Sequence, residues 1–475
     1  MFVNNGKAPI DTPNKYHVEK NEDDKEIQHD RHILAYIPMY IKGHSQGEFI
    51  FDHSWADYAY EHDIEYYPKL LVGIPFTPVT GSRILLDPKK VEYFWNHYTK
   101  EVSANIVSEK DRSTHDEANE KKEKNLFEED SVSDTKTIMN SFHQMIGRFL
   151  KQVVDSNRFS SIHLNFLTEE EASSFAGSLP NYSIPAIQEN MIQVKEKKSN
   201  SGIIEVLLDE DKKERKHKKD PVIPTKSEPN FDFLRRTSIQ YHWSNVHPTY
   251  EDVFESFDEY LESMFKSKKR INIKRERSKI HKDENIMIDV IKGRDILKYD
   301  GLVEQMYEIY VSTVNKMYWG NKYLSLKFFQ QLCYESEFVD YLCFVCAREG
   351  GETETRNKAF EASDVFAGTF NVIKDGVFYG RYWGCLKEVK YLHFEVCYWS
   401  AIEYCIQNGL KRMEPGAGGG DYKWARGFDA TLVHSVHYVK ETGLRDVIKE
   451  FLLYETEEDM ETAEYLKARR LGHIK

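Results

Sequence analysis

The feature that most constrains this chain is an internal echo. Residues 35–81 read AYIPMYIKGHSQGEFIFDHSWADYAYEHDIEYYPKLLVGIPFTPVTG, and residues 367–418 read AGTFNVIKDGVFYGRYWGCLKEVKYLHFEVCYWSAIEYCIQNGLKRMEPGAG. Each opens with an alternating strand ending in Ile-Lys, then a polar turn containing glycine, HSQG in one and KDG in the other. A second aromatic strand, a helical stretch and a short strand running into a Pro/Gly loop follow in both. Two hits about 330 residues apart do not make a solenoid; they predict two copies of one α/β unit.

The rest of the chain is organised around these copies. Its 475 residues allow about two to four domains. Aromatics at 13% can build a large core, which excludes wholesale disorder. Residues 1–31 are polar and expected to be mobile. Residues 32–230 are read as the N-terminal copy, interrupted by polar stretches expected to be disordered at 101–137 and within 195–230, the second being most polar over 209–230. Ile203–Leu208 is read as a strand within it. Residues 138–154 have helical periodicity, and SSIHLNFL (160–167) reads as a strand. Residues 231–455 form the second copy, and 456–475 an exposed helical tail. No apolar run approaches the ~20 residues needed to cross a bilayer. The N-terminus fits neither a secretory signal nor a transit peptide, so an intracellular, cytoplasmic protein is expected. Six cysteines are no disulfide framework, and the single CxxC (Cys343, Cys346) lacks a second ligand pair, so no metal is expected.

Several motifs carry chemistry. In GAGGGDYKWARGF, Gly416 and Gly418 free the backbone for close approach, while Lys423 and Arg426 could hold a carboxylate or phosphate. The loop follows a strand ending at Glu414, where α/β sites form. On the Tyr391–Leu410 helix, Glu395 falls among apolar residues near Trp399 and Ile402 and must find donors or take up a proton. With His393 it reads as general base and partner, and Glu414 is a third candidate acid; the alternative is a buried carboxylate held by a backbone or arginine contact that orders the fold. Arg381 in YGRYWG could pair with either acid or bind ligand. His44 and Glu48 flank the predicted HSQG turn, Tyr67 and Lys69 lie in YYPK, and alternation sends Gln240 and His242 of QYHW to one strand face; all six are candidates for a groove lining, with ordinary turn chemistry and packing as the competing account. The net charge of −13 disfavours a general nucleic-acid surface, yet Lys266–Lys282 holds nine Lys/Arg against one Glu and could meet phosphate on a helix.

The runs PMYIKGHSQGEFIFDHSWADYAYE, YYPKLLVGIPFTPVTGSRIL, QYHWSN, AGTFNVI, YGRYWG, LHFEVCYWSAIEY and EPGAGGGDYKWARGF resemble a GNAT-like family described as FemAB-like, peptidoglycan biosynthesis/recognition proteins. The resemblance spans most of residues 32–455. It implies two tandem acyl-CoA N-acyltransferase-like domains with mixed sheets flanked by helices. It also implies acyl or aminoacyl transfer to an amine, with acyl-CoA or aminoacyl-tRNA as donor, a small-molecule or peptide acceptor, and no tightly bound cofactor. The basic run 266–282 would then be the place for tRNA. Two departures stand out: most of the first strand and helix expected before His32 is missing, and the glycine loop is one residue longer than in many relatives. The Arg/Gln-x-x-Gly-x-Gly/Ala loop that holds the pyrophosphate of acetyl-CoA is not present between YGRYWG and LHFE, which weakens acyl-CoA as donor. A binding protein that recognises a peptide, glycan or small anion in the same groove, without chemistry, remains the second reading.

Overall fold

The computed structural model describes residues 34–97, 135–177, 232–249, 251–316, 322–350, 359–418 and 420–473. Its backbone is one ten-stranded mixed sheet. The strands are β2 (Met39–Lys42), β3 (Lys69–Val72), β5 (Ser161–Leu167), β6 (Leu234–Ser244), β7 (Ile286–Lys292), β8 (Leu342–Glu349), β9 (Val365–Lys374), β10 (Val377–Cys385), β11 (Arg412–Glu414) and β12 (Asp429–Val439). Their order across the sheet is β2-β3-β5-β12-β6-β11-β10-β9-β8-β7, and a separate two-stranded ladder joins β1 (Ala35–Tyr36) to β4 (Leu85–Leu86). Only β3–β5 and β10–β11 are parallel pairs among these ladders. The late strand β12 inserts between β5 and β6, running antiparallel to both, so the C-terminal part of the chain stitches the N-terminal strands to the rest.

Sequence pattern accounts for the central strands. SIHLNFL in β5 is buried at every position, and β8 is buried at all but its last, as near-continuous apolar runs require when both sheet faces are covered. On β8 the three-residue spacing puts Cys343 and Cys346 on opposite faces. Cys343 packs with Val396, Trp399 and Cys405, and Cys346 with Met306, Phe329 and Phe370. They cannot share a metal. Among the described residues no His/Cys/Asp/Glu group is arranged to hold a metal ion, and all six cysteines are free thiols.

The second segment of the echo forms as read. Asp375 and Gly376, both at positive φ (53° and 79°), close the β9–β10 hairpin in a two-residue turn. A helix and β11 follow. In the first segment the second aromatic strand does not form. Phe49 and Phe51 sit at positive φ, which no extended strand allows, and residues 48–52 curl inward instead. The helix His53–Glu61 then leads to β3, which pairs directly with β2. Residues 135–137, read as part of a disordered insertion, begin the helix Thr135–Asp155. The remainder of that insertion, residues 1–31, the 195–230 stretch and Ile203–Leu208 lie outside the described residues. The C-terminal helix starts earlier than expected and runs over Thr442–His473. None of the described helices is long and apolar enough to cross a membrane.

Candidate functional site

The inward curl of residues 45–52 builds a buried polar cluster around Lys69, whose side chain is wholly enclosed. Its ammonium donates to Ser45 Oγ at 2.9 Å, Glu48 Oε2 at 2.9 Å and Asp52 Oδ2 at 2.5 Å, which uses all three of its protons. Tyr66 donates to the same Asp52 oxygen at 2.6 Å, and Tyr67 OH and Ser45 Oγ share a 2.7 Å hydrogen bond. Burial pushes the Glu48 carboxyl up, with Lys69 opposing. Burial acts the same way on Asp52, but His163, the Lys69 charge and the hydrogen bonds from Lys69 and Tyr66 outweigh it and hold Asp52 well below its usual range. Beneath this cluster His163 and His437 meet Nδ1 to Nδ1 at 2.7 Å under the Trp55 ring. Glu48, Tyr67 and Lys69 are thus brought together, whereas His44 is exposed and only accepts from the Gln46 N–H. Among the described residues, the one buried side-chain oxygen of this cluster without a hydrogen bond is Glu48 Oε1, with Lys42 Nζ 3.9 Å away, so the evident work of the network is to hold the 45–52 loop.

A different environment forms where β10 and β11 part. Their parallel pairing ends at Tyr379 and Glu414, after which β11 gives way to Pro415 and the glycine loop. Glu414 is 2% exposed, and neither of its oxygens has a hydrogen-bond partner among the described residues. Arg412, two positions earlier on the same strand face, places Nη2 at 2.6 Å from Oε1 as an ion pair, in a direction unsuited to a hydrogen bond. Burial raises the Glu414 carboxyl above its usual value despite that charge. Across the β6–β11 ladder, His242 Nε2 lies 3.9 Å from Glu414 Oε2 and 3.4 Å from Gln240 Oε1. Both neighbours are acceptors, which assigns the proton to Nε2 and leaves Nδ1 a bare acceptor without a partner. Burial, then Arg412 and Lys423, push His242 down to about 3, so it is neutral at pH 7.

Lys423 connects this pair to the glycine loop. It is 2% exposed and has only carbonyl acceptors in hydrogen-bond reach: Gly416 O at 2.6 Å and Ala417 O at 3.5 Å. Gly416 and Gly418, at φ 89° and 78°, supply the left-handed backbone that folds the loop over it. Burial pushes Lys423 down to about 8. Arg426 lies 3.5 Å from the Phe394 ring centre, donates Nη1 to Tyr422 O, and leaves Nε without a partner. His393 sits among Trp383, Phe394, Tyr398 and Tyr422, pushed down to about 4 by burial, then by Arg426 and Lys423. The result is a buried, cation-rich and aromatic-lined wall.

Glu395 takes another direction. A π-helical turn, Glu395–Trp399, interrupts its helix, and the carboxylate receives Arg277 Nε at 3.1 Å, Ser400 Oγ at 2.9 Å and His281 Nε2 at 3.2 Å. Arg277 also binds Glu403 at 2.6 Å. Burial raises the Glu395 carboxyl, but the His281 hydrogen bond and the Arg277 charge prevail and hold it below its usual value. Glu395 and His393 therefore do not meet as an acid–imidazole pair. Arg381 does not reach either acid; its guanidinium donates to Phe76 O and to Thr77 Oγ1. Gln240 Nε2 adds a bond to Pro78 O at 3.1 Å, so the PFTPVTG loop is pinned against β6 and β10. Of the basic run, Arg277 and His281 turn inward to Glu395 and Lys274 pairs with Asp258, while Lys268, Lys279 and Lys282 stay exposed on the helix Ser267–Ser278 and its π-helical extension.

Sequence reasoning missed Arg412, Asp52 and Arg277. The spacing Arg-x-Glu on a strand carried the signal for Arg412, and Asp before HSWADYAYE carried one for Asp52. Nothing local marked Arg277, whose partner is 118 residues away.

The FemAB-like family model, described as peptidoglycan biosynthesis/recognition, matches residues 23–144 and 186–471. The chain belongs to this family. No curated protein matches it. Among solved structures, L-PGS from Bacillus licheniformis is 7% identical with a TM-score of 0.30, over 47% of this chain and 67% of that one. FemX is 10% identical with a TM-score of 0.30, over 46% and 65%. The C-terminal domain of a lysylphosphatidylglycerol synthetase homologue from Agrobacterium fabrum is 6% identical with a TM-score of 0.30, over 47% and 67%. The chain thus spans about two thirds of the length of each.

Proposed function

We propose that this protein transfers an acyl or aminoacyl group to an amine, with the chemistry at Glu414 and the two-copy arrangement of acyl-CoA N-acyltransferase-like units as its frame. The observation that carries this reading is the buried carboxylate of Glu414, ion-paired to Arg412 but without a hydrogen bond among the described residues and 3.9 Å from His242 Nε2, where β10 and β11 separate. A carboxylate kept dry and raised in pKa is a better base than an exposed one.

In this reading an acceptor ammonium enters the opening and gives a proton to Glu414. His242 Nδ1 takes a second N–H and orients the lone pair. The amine nitrogen attacks the donor carbonyl; an N–C bond forms, the C–O bond of an ester or the C–S bond of a thioester breaks, and the leaving group takes up a proton. Lys423 and Arg426 hold the anionic part of donor or acceptor, and the open Arg426 Nε supplies a hydrogen bond. Catalysis is then positioning plus proton transfer. Membership of the FemAB-like family supports the aminoacyl form of the reaction, and the exposed lysines of 268–282 offer a surface for an aminoacyl-tRNA donor.

The test is a thermal-shift screen of CoA esters, amino acids and aminoacyl-tRNA mimics on wild type, Lys423→Ala and Glu414→Gln. The expected result is a donor that stabilises wild type and Glu414→Gln but not Lys423→Ala, and whose transfer to an amine falls about 100-fold or more in Glu414→Gln. A donor that binds without any transfer would support the recognition reading instead. If no probe raises the melting temperature of wild type, the transferase reading fails.

A further inference from the structure

The short helix Gly420–Trp424 carries Lys423, and the turn after it carries Arg426. The carbonyls at the end of this helix accept local N–H groups, Gly427 N to Trp424 O at 3.1 Å and Phe428 N to Lys423 O at 3.2 Å, and each keeps a second lone pair. At Trp424 that second position is filled by a side chain. Arg470, in the last turns of the helix Thr442–His473, donates Nη2 to Trp424 O at 2.7 Å and to Phe428 O at 2.8 Å, and Nε to Asp429 Oδ1 at 3.0 Å. Its guanidinium lies 4.7 Å from the Trp424 ring centre, and the residue is 7% exposed. Tyr260 OH in turn donates to Arg426 O at 2.7 Å. Gly427, at φ 91°, makes the turn between the two clamps; a Cβ there would fall 2.1 Å from Tyr260 Oη.

The helix that carries Arg470 is itself well anchored. Leu444, Ile448 and Leu452 are buried against Trp55, Ala59 and Tyr66. Further along, Glu455 accepts Arg236 Nε at 2.7 Å and Nη2 at 2.6 Å. It is therefore a strut that starts beside the Lys69 cluster and ends on the segment that presents Lys423.

We propose that Arg470 is a positioning residue for the Lys423–Arg426 wall: it fixes the carbonyl end of the Gly420–Trp424 helix and thereby the direction in which both cations point. This rests on the reading above for its functional meaning, but not for its geometry. The planar fork of a guanidinium spans three acceptors and stacks on an indole; a lysine ammonium cannot do both from this position.

The experiment uses the full-length protein with ¹³C-labelled lysine, following the Cε–Hε signal of Lys423, assigned by its loss in Lys423→Arg. In wild type the signal titrates near about 8. In Arg470→Ala and Arg470→Lys the segment loosens, water reaches the ammonium, and the midpoint rises toward the ordinary lysine value of about 10.4. Arg469→Ala, whose guanidinium lies 4.9 Å from the Trp424 ring centre, leaves it in place. Should the Arg470 variants not fold, Asp429→Ala removes the acceptor of Nε alone and gives a smaller rise. A folded Arg470→Ala with a lower melting temperature and an unmoved Lys423 midpoint overturns the proposal, because a purely structural role predicts that pattern; so does an unmoved midpoint in Asp429→Ala where the Arg470 variants do not fold. No substrate is needed, so a moved Lys423 together with a failed ligand screen rejects the transferase and keeps the positioning.

Discussion

Lys69→Met isolates the cost of breaking a buried ion cluster. At an effective dielectric of about 20, one charge contact at 2.5–2.9 Å is worth about 6 kcal/mol of attraction. Most of that is offset by desolvating the ions, so the intact cluster adds little net stability. The variant, however, leaves Asp52 and Glu48 buried without their shared ammonium, and the remaining lysine nearby, Lys42, stands 3.9 Å from Glu48 Oε1. Breaking a pair in this way costs about 3–5 kcal/mol. The orphaned acids can shed the cost by taking up protons, so the loss is greatest at pH 7 and shrinks toward pH 5. Lys69→Met/Glu48→Gln/Asp52→Asn removes the charges together and recovers at least half of it. Urea unfolding followed by circular dichroism at both pH values measures all three effects. A loss below about 1 kcal/mol at pH 7, or one that does not change with pH, would refute the reasoning and mean that water reaches the cluster.

Two further expectations concern stability. His163 and His242 are both pushed down to about 3, each by burial first, then by Lys69 and Arg236 for His163 and by Arg412 and Lys423 for His242. An unfolded histidine titrates near about 6.5, so below that pH the unfolded chain binds protons that the folded chain refuses. Their contribution is intact above pH 6.5 and falls by about 3 kcal/mol per pH unit as the pH drops toward 3; urea midpoints at pH 7.0 and 5.5 should differ accordingly, and equal midpoints would exclude it. Arg277→Met leaves Glu395 buried and should cost about 3 kcal/mol or more, while Glu395→Gln, which keeps a hydrogen-bonding group of similar shape, should cost less; the reverse order in urea unfolding would mean that Glu395 is not held by Arg277.

Much of the local structure was legible in the residues. Residues 138–154 carried the helix, SIHLNFL the buried strand β5, and KDG the β9–β10 turn. Gln240 and His242 fell on one face because a strand alternates with period two. The second strand of the first segment was misread because EFIFD has strand composition. Local propensity there yields to the need of Lys69 for two carboxylates, which only the curled loop can deliver.

By itself, then, the sequence determined many of the described helices and strands, where the glycine loop lies, and that the chain belongs to this family. Periodicity and turn chemistry act over a few residues, and that is as far as those signals reach. The tertiary structure alone decided which charges answer which. Inserting β12 between β5 and β6 sets His437 against His163, and packing the 267–278 helix against the Glu395 turn gives that acid to Arg277 rather than to His393. A buried charge is stable only beside a partner, and the partner is chosen by the neighbours that the sheet order brings close, not by spacing along the chain. Glu414 is answered by Arg412 of its own strand and, where β10 and β11 separate, receives no hydrogen bond from a neighbouring element among the described residues.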